Sequence, residues 1–134
     1  MKIQKELFFT VDEYEQRLKS LRQKMAAGEL DVLLLASPEN LYYVSGYQTF
    51  GFHNYQLLGV PLEGKPFLIL RYLESSLAQR YAWIDDVVVW DDTDDPNAVT
   101  VEALRSRKLL GKKVGIEERA YFLQVHSWRA LNEK

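Results

Sequence analysis

The sequence predicts an α/β fold, a mixed sheet flanked by helices, and three observations carry that expectation. Stretches with apolar residues at helical spacing alternate with short apolar runs through most of the chain. The run Val32-Leu33-Leu34-Leu35-Ala36 is continuous instead of alternating, as in a strand covered on both faces. Two further apolar segments in the middle are joined by a glycine-bearing connection, a hairpin signal that rules out a purely parallel sheet.

The elements follow in order. Thr10 is placed to cap a helix, with Glu13 three residues on reaching back to complete a capping box. Tyr14, Leu18, Leu21 and Met25 then share one face until Gly28 offers a left-handed stop. After the strand at 32–36, Ser37-Pro38-Glu39-Asn40 ends it and Leu41-Tyr42-Tyr43-Val44 reads as a second strand-like segment closed by Ser45-Gly46. Residues 56–61 and 67–70, joined by Leu62-Glu63-Gly64-Lys65-Pro66, form the antiparallel pair. A short helix is expected over 75–81, and Val87-Val88-Val89-Trp90 is a β-branched strand. Asp95-Pro96 is an N-cap with proline at the first helical position, opening a helix that carries Val101 and Leu104 and ends by Gly111. Val114-Gly115-Ile116 is the last strand, followed by a helix with Tyr121, Val125 and Trp128 on one face. Asn132-Glu133-Lys134 holds no capping glycine or proline, so the chain reads as cut from the front of a larger protein.

Composition excludes several classes. The 134 residues, 47% of them hydrophobic, suit one domain. With 17 basic and 19 acidic side chains, a net charge of -2 and no basic stripe, nucleic acid is not the expected partner. The absence of cysteine removes disulfides, thiolate nucleophiles and Cys-based metal sites. Neither a signal peptide nor a membrane-length apolar run is present, so no membrane partner is expected and the plain reading of location is cytoplasmic.

No catalytic constellation is complete. Asp85-Asp86 and Asp91-Asp92-Thr93-Asp94-Asp95 lack the EF-hand order and read as a solvated turn with a helix cap. His53 and His126 stand at no ligand spacing, and no serine sits in a GxSxG elbow. Gly46 and Gly51 belong to neither a P-loop nor a dinucleotide turn. The most unusual stretch is Gly46-Tyr47-Gln48-Thr49-Phe50-Gly51-Phe52-His53-Asn54-Tyr55, with four aromatics and two glycines between elements. It reads either as a recognition loop or as a cover for the sheet end.

Several segments fit one pattern together. Phe9-Thr10-Val11-Asp12-Glu13-Tyr14, Arg17-Leu18, Leu21-Arg22 and Leu30-Asp31-Val32-Leu33-Leu34-Leu35 form its first part. Pro38-Glu39-Asn40-Leu41-Tyr42-Tyr43-Val44-Ser45-Gly46-Tyr47 is the most specific part. Gly64-Lys65-Pro66, Arg71, Glu74 and Lys113-Val114-Gly115-Ile116-Glu117 support it. The chain thereby resembles the amino-terminal domain of the creatinase/prolidase family, which includes Xaa-Pro dipeptidases, aminopeptidase P, creatinase and ectoine hydrolase.

The resemblance implies a three-layer α/β/α domain with a mixed, mostly parallel sheet, ribonuclease H-like, over residues 1–134. The pita-bread catalytic domain that follows in family members is absent from this chain. The implied protein is a C–N bond hydrolase of the Xaa-Pro dipeptidase type, whose Asp, His and Glu ligands for a divalent metal (Mn, Co or Zn) lie in that second domain. The fragment itself is expected to be noncatalytic, with no catalytic or metal-binding residue and no cofactor of its own. Its implied partners are its own C-terminal catalytic domain, a second copy in a homodimer, and a small peptide or amide substrate. Phe52, His53, Asn54 and Tyr55 are the residues expected to touch substrate or partner. By loop position Phe52 matches a substrate-contacting Phe of creatinase-like members, whereas Asn54 stands where they carry an Arg. An amide lacks the charged fork with which arginine grips a carboxylate, which argues against creatine. Two other readings stay open: a free-standing interaction or scaffold domain, and the front domain of a creatinase- or ectoine hydrolase-like enzyme. A metal-dependent nuclease built on Asp91 to Asp95 is poorly served, because those carboxylates sit in one short run.

Overall fold

The computed structural model describes residues 3–133. Five strands form one open sheet in the order β4-β3-β2-β1-β5. They are β1 (Val32–Leu35), β2 (Leu57–Pro61), β3 (Phe67–Arg71), β4 (Val87–Trp90) and β5 (Val114–Ile116). β1 pairs with β2 antiparallel and with β5 parallel, β2 with β3 antiparallel, and β3 with β4 parallel. Four strands therefore run one way and β2 alone runs against them, the mixed and mostly parallel sheet expected.

Five helices cover it: α1 (Val11–Ala27), α2 (Pro38–Ser45), α3 (Ser75–Tyr81), α4 (Pro96–Ser106) and α5 (Val125–Asn132). One apolar cluster joins Leu18 and Met25 of α1, Leu41 and Val44 of α2 and Ala78 of α3 to Leu35, Leu58, Val60, Leu68 and Leu70. The other joins Ala103 and Leu104 of α4 to Val32, Leu34, Leu57, Phe67 and Ile69. Alternate residues of each central strand thus feed opposite cores, which gives three layers and explains the continuous apolar runs. Gly59 is required between β2 and β3: an added Cβ would lie 2.6 Å from two ring carbons of Phe67, its cross-strand partner.

The Thr10 hydroxyl accepts from the Glu13 amide as the sequence indicates, but the Glu13 carboxylate pairs with Arg17 one turn on. Asp95 caps α4 by accepting from the Asn97 amide at 2.9 Å. Three expectations are corrected. Gly28 is not left-handed (φ -87°); Glu29 is (φ 57°), so that the Leu30 amide closes onto the Met25 carbonyl. This puts the turn one residue later and returns the Leu30 side chain to the core against α1. Tyr121 lies outside the last helix, in a turn, and is 95% exposed; the neighbouring Ala120 and Leu123 are the residues tucked against the second core.

The third correction concerns residues 41–44, which form the centre of helix α2 and not a strand. Leu41, Val44 and Ser45 take its buried face, Pro38 opens it, and Gly46 ends it in the left-handed region (φ 80°). The entrance is held from a distance. The carboxylate of Glu117, just after β5, accepts from the amides of Ala36 and Ser37, the latter at 2.7 Å, from the Ser37 hydroxyl at 2.9 Å, and from the Asn40 side chain. A charged acceptor at the amino end of a helix satisfies amides left over by the chain reversal and suits the helix dipole. Replacing Glu117 with Ala is expected to lower stability by about 2 to 3 kcal/mol, since charge-assisted hydrogen bonds are lost from a half-buried site. Glu117→Gln, which keeps one acceptor oxygen, should fall between; urea-unfolding midpoints measure both, and equal midpoints for Ala and wild type would refute the clamp.

Candidate functional site

Strand direction decides where chemistry can gather. β1, β3, β4 and β5 all end at one edge of the sheet, and β2 begins there, as the pairings Leu35 with Leu58, Arg71 with Trp90 and Leu34 with Ile116 require. In open α/β sheets ligands bind outside this carboxyl edge. The connections that emerge at it are α2 with the 46–55 loop, the 3₁₀ turn Tyr72–Glu74, the Asp91 to Asp95 turn, and the segment after β5.

The loop has firm ends and an exposed crest. At its start Tyr47 is buried, and that burial, reinforced by the nearby Glu74 carboxylate, pushes its phenol well above the ordinary value. At its end Tyr55 turns inward. The Thr100 hydroxyl gives its hydrogen to the Pro96 carbonyl at 2.9 Å, so the Tyr55 hydroxyl donates to it at 2.8 Å. The Trp90 indole N–H donates to the Tyr55 carbonyl at 3.0 Å.

Between these anchors Phe50 is 97% exposed and Phe52 43% exposed. Phe52 meets Phe122 edge to face, centroids 5.5 Å apart, and stands at a similar angle to His53, 6.2 Å away. His53 is exposed and Asn54 half-buried. Of the four residues singled out from sequence, Phe52, His53 and Asn54 thus lie on or beside the outer surface of the loop, and Tyr55 on its inner side. Sequence reasoning passed over Phe50, the most exposed aromatic of the loop, and Tyr72 and Leu73, which the 3₁₀ turn leaves exposed at the same edge. No periodicity distinguishes them, because none lies in a regular helix or strand.

The acidic run serves structure. Asp92 forms a two-pronged pair with Arg71, both contacts 2.7 Å, and that guanidinium holds its carboxyl below the usual range. Asp94 accepts from the Asp91 amide, Asp95 caps α4, and Asp86 takes both oxygens to Arg107. Among the described residues no three His, Asp or Glu side chains gather as a metal-ligating set.

With this geometry in view, residues 17–134 match the Creatinase/Prolidase N-terminal domain, and the chain belongs to that family. It is 36% identical over 83 residues to the ectoine hydrolase of Halomonas elongata, covering 62% of this chain and 21% of that protein. It is 28% identical over 136 residues to the uncharacterized hydrolase/peptidase y4tM of Sinorhizobium fredii, covering 95% of this chain and 35% of that protein. The chain therefore spans about a third or less of these relatives. The fold is shared with the N-terminal domain of an Xaa-Pro dipeptidase from Lactobacillus brevis: TM-score 0.77, 23% identity, 87% of this chain and 86% of that one. It is shared as well with the dipeptidase PepE of Mycobacterium ulcerans: TM-score 0.75, 22% identity, 92% of this chain and 34% of that one. No helix among the described residues is long and apolar enough to cross a membrane.

Burial pushes the Tyr55 phenol from the ordinary value near 10 up to about 12, and the nearby Asp95 carboxylate adds to the rise. A folded-state value raised above the unfolded one means that this contribution to stability is complete below about pH 10 and is lost as pH climbs toward about 12. Tyr55→Phe should cost about 1 kcal/mol at neutral pH. It should also reduce the alkaline loss of stability, measured by denaturant titration at several pH values; an unaltered slope would mean that Tyr55 ionises as freely folded as unfolded.

Proposed function

We propose that this chain is the noncatalytic amino-terminal domain of a larger cytoplasmic C–N bond hydrolase of the Xaa-Pro dipeptidase type. In this reading it contributes to a homodimer and uses the 46–55 loop to close over the substrate site of a catalytic domain. The observation that carries the reading is an aromatic crest, Phe50 and Phe52, held at the carboxyl edge of the sheet by inward-turned tyrosines on either side. A loop needed only to cover the sheet end would bury these rings. Support also comes from proportion: the chain matches nearly the whole of an isolated dipeptidase N-terminal domain but about a third of a full dipeptidase.

Phe50, Phe52, His53 and Asn54 are then the contacts to substrate or to a partner subunit, with Tyr55 supporting them from beneath. Such contacts exclude water and restrict substrate size instead of moving protons. Divalent metal (Mn, Co or Zn) belongs in this reading to the catalytic domain. A second substrate class is favoured by the 36% match to an ectoine hydrolase, namely a small cyclic amidine or amide in place of a dipeptide with proline.

The test compares this 134-residue chain with the uninterrupted gene product, each with Mn²⁺, Co²⁺ or Zn²⁺, on Xaa-Pro dipeptides, creatine and ectoine. Turnover by the longer protein alone is expected, and its preferred substrate decides between the two classes; turnover by the short chain would overturn the proposal. Phe52→Ala and Phe50→Ala in the longer protein are expected to raise KM about tenfold or more with folding unchanged, the loss of a well-packed aromatic contact being worth about 1.4 kcal/mol or more.

A further inference from the structure

The 46–55 loop contains no helix or strand, yet its crest is presented in one defined course, so side chains must hold it. Glu74 is placed to do this. It stands at the junction of the 3₁₀ turn and α3, fixed there by the Ser75 hydroxyl, which donates to the Tyr72 carbonyl at 2.7 Å. Although Glu74 occupies the N-cap position of α3, its carboxylate makes no capping bond. It faces the loop instead and accepts from the Thr49 hydroxyl.

The rest follows from donor count. The Thr49 hydroxyl has one hydrogen and gives it to Glu74, which leaves its oxygen free to accept from the Gly51 amide, 2.8 Å away. The Gly51 carbonyl in turn accepts from the Asn54 amide at 2.9 Å. The relay is tight: a Cβ on Gly51 would lie 2.8 Å from the Glu74 carboxyl carbon, nearer still to one of its oxygens, and 3.1 Å from the Asn54 side-chain nitrogen. A side chain at 51 would thus have to push the Glu74 carboxylate away from the loop, so the bare backbone there is what lets the carboxylate come this close. Phe50 and Phe52 flank it on either side.

We propose that Glu74, acting through Thr49 and the bare backbone of Gly51, is the positioning residue that latches the 46–55 loop and sets the direction of Phe50 and Phe52. The latch concerns this chain alone; its consequence for substrate rests on the function proposed above. Glu74 touches neither of the rings it aligns in this scheme. Its effect passes through two hydrogen bonds and one steric fit.

Amide hydrogen exchange by NMR on the 134-residue chain tests it. Thr49→Val and Glu74→Ala should each speed exchange at Gly51 and Asn54 about tenfold, as expected for one lost hydrogen bond gating local opening. The Leu68 amide, bonded within the sheet region to Asp86, should be unmoved. Thr49→Ser, which keeps the hydroxyl, should restore protection, and the double variant should be no faster than either single one, because both break the same relay. If Glu74→Ala unfolds the domain, the Thr49→Val and Thr49→Ser pair decides, as Thr49 lies in the loop and outside both cores. Unchanged exchange at Gly51 in Thr49→Val overturns the latch. In the longer protein Thr49→Val should raise KM with rescue by Thr49→Ser; a freed loop with unchanged kinetics would overturn the substrate-facing role while leaving the latch standing.

Discussion

The carboxylate of Glu117 joins the two parallel neighbours β1 and β5 at the point where both leave the sheet. By accepting from the amides of Ala36 and Ser37 it fixes the turn out of β1, and by accepting from Ser37 and Asn40 side chains it fixes the first turn of α2. The start of the 46–55 loop at the carboxyl edge is downstream of that choice. The course of α2 decides where Gly46 reverses the chain, where Tyr47 enters the core, and therefore where the aromatic loop begins. An apolar or absent side chain at 117 would leave the Ala36 and Ser37 amides facing a half-buried gap without an acceptor.

The reversal of β2 gives this edge its character. In a purely parallel sheet every strand would leave the edge and the next would enter from the opposite side. Because β2 enters at the edge where β1 leaves, the connection between them stays on one side, and its ten loop residues project there instead of crossing the sheet. The 3₁₀ turn after β3 emerges beside it and supplies Glu74; the segment after β5 supplies Phe122. Three connections, distant in sequence, thus converge on one short stretch of backbone. The acidic turn after β4 shares the edge but spends its carboxylates on Arg71 and the cap of α4.

Most of the architecture was legible because it is local. Thr10 and Asp95 cap the helices they precede, the Val87 to Trp90 run is a strand, and the connection around Gly64, left-handed at φ 110°, turns the hairpin as its composition indicates. The misreading of residues 41–44 has a definite origin. Leu-Tyr-Tyr-Val favours strands by propensity, an eight-residue helix shows scarcely two turns of periodicity, and its decisive acceptor lies some 80 positions away. Tyr121 was drawn into the last helix by spacing alone, whereas Ala120 and Leu123 had the stronger claim on the core. The loop was conspicuous by composition, but which of its aromatics face outward was not, since no period relates them.

The sequence by itself determined the class of fold, the order of nearly all its elements and the family, because these depend on residue type and short-range spacing. Tertiary structure decided that α2 is a helix, that Tyr55 turns inward while Phe50 stands clear, and that Glu74 meets Thr49 and Gly51. Those outcomes depend on long-range pairing of hydrogen-bond donors with acceptors and on which side of a sheet each connection falls. Neither quantity is a property of any window of the chain; both arise only when strands from its two ends are set side by side.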